Sequence, residues 1–108
     1  MKTIKKVDIS FEYGDIPDWK DMKQGVIYVN KEYGFASHLC LCGCGEKVAM
    51  PLSKISIDGE NVNIKNDQKD WWTLTEDKGK ITLHPSIGNY SFPCKSHYII
   101  TKSIANFV

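Results

Sequence analysis

The segment KVDISFEY, residues 6 to 13, sets a side-chain period of two. Val7, Ile9, Phe11 and Tyr13 are apolar or aromatic, and Asp8, Ser10 and Glu12 between them are polar. Such alternation gives an extended strand one buried and one wet face. Strand character returns in GVIYVN, YGFASHLCLC and SHYIITKSIANFV, and no segment carries convincing helical periodicity. A chain patterned this way buries its apolar residues by pairing strands into sheets.

The turn signals agree. In ISIDGENVNI, Asp58-Gly59 is a favoured two-residue hairpin turn, because both central positions need positive φ. That turn sets Ile55 opposite Val62 and puts Ile55, Ile57, Val62 and Ile64 on one face. A second hairpin is expected in LTEDKGKITL, with Gly79 in a slightly longer loop. The stretch GDIPDWKDMKQG breaks the alternation and reads as a loop with one helical turn begun at Pro17. HPSIGN reads as a further turn, since Pro85 forces an extended backbone on His84. The expectation is a mostly β fold: one domain spanning residues 1–108, with about seven short antiparallel strands and hairpins, clipped together by a zinc site.

Charge excludes some partners. Fourteen basic residues face thirteen acidic ones, which gives no electrostatic reason to expect a nucleic acid or an anionic membrane. Lys2, Lys5 and Lys6 read as a solvated strand end. No segment approaches the ~18 apolar residues of a membrane span, and MKTIKKVDISFEY lacks the apolar core of a signal peptide. The expected location is the cytoplasm, where thiols stay reduced. Four cysteines there point to metal or redox chemistry rather than to disulfides.

Three of the four fall within HLCLCGCGEK, at Cys40, Cys42 and Cys44. On an extended chain Leu39 and Leu41 face the core, while His38, Cys40 and Cys42 face the other way. Gly43 and Gly45 then permit the tight turn that lets neighbouring thiolates converge on one ion. FPCKSHYII offers Cys94 and His97, a C-x2-H pair. A structural Zn2+ takes four sulfur or nitrogen ligands, so five candidates compete for four places. Cys42, Cys44, Cys94 and His97 are the first choice, with Cys40 as substitute. Clustering beside glycines argues against cysteines that merely pack in a core. The absence of C-x-x-C at a helix start argues against a redox dithiol. His38 reads as a solvent-facing polar residue on the cysteines' face.

The run Cys40-Leu41-Cys42-Gly43-Cys44-Gly45, a downstream tryptophan (Trp71 or Trp72), Pro85-Ser86-Ile87 and Cys94-Lys95-Ser96-His97-Tyr98-Ile99-Ile100 form a CxCGCG…PSI…CxxHYxI pattern. With it the chain resembles a small bacterial family of metal-binding domains of unknown function, over residues 35 to 105. The family often has proline where this chain has Leu41. Some members are encoded beside ubiquitin-like conjugation genes, so the resemblance implies an accessory role there, with protein partners. Two functions stand side by side. One is a zinc-stabilised binding module, its four ligand places filled and Trp19, Trp71 and Trp72 available for contact. The alternative is a zinc-dependent hydrolase or deaminase-like enzyme with Glu46 as general base. The residues favour the module, because no H-x-E or H-E-x-x-H pattern accompanies Glu46.

Overall fold

Alternation of side chains is carried through into burial. In the computed structural model, which describes residues 6–65, 72–88 and 97–107, Val7, Ile9, Phe11 and Tyr13 turn inward while Lys6, Asp8, Ser10 and Glu12 are exposed. The described residues form β1 (Lys6–Asp8), β2 (Ser10–Tyr13), β3 (Val26–Asn30), β4 (Phe35–Leu39), β5 (Lys47–Ile57), β6 (Glu60–Val62), β7 (Trp72–Asp77), β8 (Lys80–Gly88), β9 (His97–Thr101) and β10 (Ile104–Phe107). A 3-10 turn at Trp19–Asp21 follows the predicted helix start at Pro17. Among the described residues no helix is long and apolar enough to cross a membrane. The fold is mostly β, as its sequence pattern predicts.

One sheet runs in the order β1-β10-β9-β8-β7-β5-β4-β3-β2, with β6 paired to β5 off this path. Its two outer strands, β1 and β2, are consecutive in the chain and separated only by Ile9. The sheet therefore curls round until its two margins meet at one residue, giving a near-barrel. Ile9 seals that seam: it is buried, and its N–H donates to the Ser103 carbonyl at 3.0 Å. Ser10 N–H donates to the Gly25 carbonyl at 2.9 Å. Ile27, Met50, Leu52, Ile55, Leu74 and Leu83 fill the interior with essentially no exposure.

Pairing is more varied than a run of antiparallel hairpins. β2 and β3 are parallel, as are β5 and β7. Parallel neighbours need a crossover rather than a tight turn, and the loop of residues 14–25 provides one. Asp58-Gly59 makes the predicted hairpin, with Ile55 opposite Val62 and φ of 49° and 87°. The second hairpin is tighter than predicted, since Asp77 pairs with Lys80 and leaves Lys78-Gly79 as a two-residue turn. The closing run SHYIITKSIANFV is a hairpin, β9–β10, turning at Lys102-Ser103 with φ of 50° and 60°. HPSIGN is a turn only in expectation, since His84 through Gly88 belong to β8. Pairing with β7 draws His84 into the ladder opposite Thr73.

This topology gives the barrel two distinct ends. The three two-residue turns, Asp58-Gly59, Lys78-Gly79 and Lys102-Ser103, gather at one. The start of β5, the start of β7, the close of β8 and the start of β9 lie at the other.

Candidate functional site

The cysteine turn leaves β4 after Leu39 and rejoins the sheet at Lys47, which pairs with Leu39. Cys40 is gripped by its backbone. Its N–H donates to the Glu46 carbonyl at 2.8 Å, and its carbonyl accepts from the Gly43 N–H at 3.1 Å and from Gln24 Nε2 at 2.8 Å. Gly43 and Gly45 have φ of 92° and 85°, conformations that cost any residue with a Cβ. The Cys40, Cys42 and Cys44 sulfurs all lie within 4.8 Å of one another, and burial falls from Cys40 outward to Cys44. Cys40 and Cys42 Sγ are 3.5 Å apart, far beyond a disulfide bond and close to the about 3.8 Å that tetrahedral thiolates around one zinc adopt. Three soft donors at that spacing fit a metal ion.

One part of the sequence reading is corrected here. His38 and Cys40 do not face away from the core: both are fully buried, while Leu39 is only partly so. Ala36, His38 and Cys40 share the inward parity of β4, and the barrel holds a polar partner for the imidazole. His38 Nε2 lies 2.8 Å from the Tyr98 hydroxyl. Leu41 is also buried, because the chain has left the strand by then and alternation no longer applies. Burial lowers the His38 pKa to about 4 and keeps the ring neutral.

The remaining candidates scatter. Cys94 and Trp71 lie outside the described residues. Glu46 is exposed at the far side of the cysteine turn, and Trp19 and Trp72 are half-buried. His84 is exposed on β8. His97, the other half of the predicted C-x2-H pair, is not in the three-sulfur group found among the described residues. Its Nε2 lies 2.7 Å from Ser86 Oγ.

That contact comes from a defect in the β8–β9 ladder. Leu83 pairs with Ile100 and Ile87 pairs with Tyr98, so three β8 residues, His84 to Ser86, stand against Ile99 alone. A bulge of this kind re-aims side chains, and here it brings the Ser86 hydroxyl to the imidazole. Tyr98 points inward, so His97 and Ser86 meet on the outer face. Trp72 Nε1 donates to the Ser86 carbonyl at 3.4 Å and braces the bulge from β7. Ser86 is the functional candidate that the sequence reading passed over. Its signal was present in Pro85-Ser86-Ile87, but nothing in the spacing joins that segment to His97.

A serine hydroxyl at hydrogen-bond distance from an imidazole is the arrangement that activates an oxygen nucleophile. The family model described as "Bacterial ubiquitination-like system serine protease (BubE)" matches residues 13–108. No curated protein and no solved structure matches the chain.

Proposed function

Because this chain belongs to the family of bacterial ubiquitination-like system serine proteases, we propose that it is a serine peptidase with Ser86 as nucleophile and His97 as general base. The observation that carries this reading is the 2.7 Å contact between Ser86 Oγ and His97 Nε2. With the ring proton on Nδ1, the hydroxyl donates to Nε2. As Oγ attacks the substrate carbonyl carbon, its proton passes to Nε2. The C–N bond then breaks, and His97 returns the proton to the leaving amine. Water attacks the acyl-serine in turn, giving one proton to Nε2, and His97 passes that proton to Ser86 Oγ as the acid departs.

The substrates in this reading are the system's own ubiquitin-like protein, as a precursor with a C-terminal extension, and its conjugates to other proteins. The accessory role that the family resemblance implies becomes, in this reading, a maturation or deconjugation step. Ile99, 38% exposed and two residues from His97 on the outer face of β9, offers an extended tail an apolar contact.

The cysteine turn is structural in this account. In this reading Cys94 is the fourth thiolate for Zn2+ beside Cys40, Cys42 and Cys44, and His97 serves as the general base rather than as a ligand. A bound zinc there supplies folding energy rather than a reaction step. The test pairs the purified chain with a ubiquitin-like protein from the same conjugation system, carrying a short C-terminal extension. Mass spectrometry should detect release of the extension by the native chain and none by Ser86→Ala. Equal release by both proteins would remove Ser86 from the mechanism.

A further inference from the structure

His38 and Tyr98 are both fully buried inside a barrel packed mainly with apolar side chains. The Tyr98 hydroxyl lies 2.8 Å from His38 Nε2 and accepts from the Leu41 N–H at 3.5 Å. The two rings meet edge-on, with centroids 6.1 Å apart. Among the described residues His38 Nδ1 has no hydrogen-bond partner, so the imidazole keeps one polar contact and forgoes the other. An apolar pair of similar volume avoids that desolvation cost. A polar pair retained in such a place gives direction and distance, which apolar packing does not.

What it fixes can be read from its neighbours. Leu41 sits between Cys40 and Cys42, and His38 sits on β4 just before the cysteine turn. Tyr98 follows His97 directly and points inward where His97 points outward. Setting the depth and twist of Tyr98 therefore sets the direction in which His97 leaves the strand. The β8–β9 ladder does this poorly by itself, because its register breaks between Leu83 and Ile87, beside Ser86. Phe107, with its ring 5.1 Å from that of Tyr98, steadies the strand from β10.

We propose that Tyr98, held across the barrel by His38 and the Leu41 amide, is a positioning residue that aligns His97 with Ser86. This rests on the reading of Ser86 and His97 as the reactive pair.

The test measures how fast a fluorophosphonate modifies Ser86 in the full chain, across pH and well below the melting temperature, with metal content checked in every sample. Tyr98→Phe and His38→Leu should lower the plateau rate by on the order of tenfold to a hundredfold while retaining metal and fold. His38→Gln, whose amide can reach the Nε2 position, should recover most of the loss. Should Tyr98→Phe fail to fold, the His38→Leu and His38→Gln pair makes the same comparison. Native plateau rates in folded Tyr98→Phe and His38→Leu would overturn the proposal while leaving the serine reading intact. A native chain unmodified at Ser86 would remove both.

Discussion

At one end of the barrel, three two-residue turns brace one another. Lys78 N–H donates to Asp58 Oδ1 at 3.1 Å, Lys102 N–H to Thr82 Oγ1 at 3.0 Å and Ile81 N–H to Ser103 Oγ at 3.0 Å. Tyr13 crosses from β2 to donate to Glu76 Oε1 at 2.5 Å. Burial, together with the bond and charge of Glu76 and the charge of Asp58, raises the Tyr13 hydroxyl well above the usual tyrosine range and keeps it a donor. At the other end the ladder is interrupted by a bulge, the chain leaves the sheet for the cysteine turn, and the buried His38 imidazole has a nitrogen without a partner among the described residues. Each end has its own polar tie across the barrel, Tyr13–Glu76 or His38–Tyr98. The first joins strands whose backbones are already well paired. The second acts where backbone pairing gives out, beside the proposed pair Ser86 and His97. Regular pairing uses up backbone groups and fixes side-chain directions, so a site that must aim a hydroxyl at an imidazole departs from it and is held by other means.

Removing metal should separate the two ends most sharply. Stripping it, with loss verified by metal analysis, should lower the melting temperature by on the order of 10 °C. In hydrogen exchange, the amides of residues 38–42 and 97–98 should lose protection first, while Asp58, Lys78 and Ser103 keep theirs until global unfolding. Uniform loss along the chain would erase the distinction between the ends.

A pair of substitutions sharpens it next. Tyr13→Phe removes a hydrogen bond worth about 1 kcal/mol, so the melting temperature should fall by about 4–8 °C with peptide cleavage unchanged. Ser86→Ala should do the reverse, leaving the melting temperature near the native value and abolishing cleavage. A Tyr13→Phe protein as inactive as Ser86→Ala would mean that the ends are not independent.

The smallest effect belongs to the third hairpin. Lys102 has φ of 50°, where asparagine is at less disadvantage. Lys102→Asn should raise the melting temperature by a few degrees, for a gain of about 0.5 kcal/mol. No gain would mean that the Lys102 side chain contributes more than its backbone costs.

The same contrast decides how much could be read from the residues alone. Asp58-Gly59 declares its turn because the residue types suit positive φ, and the register of Ile55 with Val62 follows. Lys102-Ser103 takes the same conformation with residues that give no such signal, so the chain's closing run reads as a single strand. At the other end, clustering made the cysteines conspicuous, yet burial reversed the facing of His38 and Cys40. Nothing local announces that a tyrosine from β9 fills the space opposite them. The Ser86–His97 contact depends on where a ladder slips, and a strand pattern cannot reveal that. His97 was legible only as a candidate metal ligand, and neither its contact with Ser86 nor that serine was.

Mapping the fluorophosphonate adduct tests the central claim most directly. The native chain, holding its metal, should gain the mass of a single adduct, and peptide sequencing should place it on Ser86. Ser86→Ala should take up none, and His97→Ala should react at least about a hundredfold more slowly. An adduct retained in Ser86→Ala, or a native chain that remains unmodified, would contradict the account.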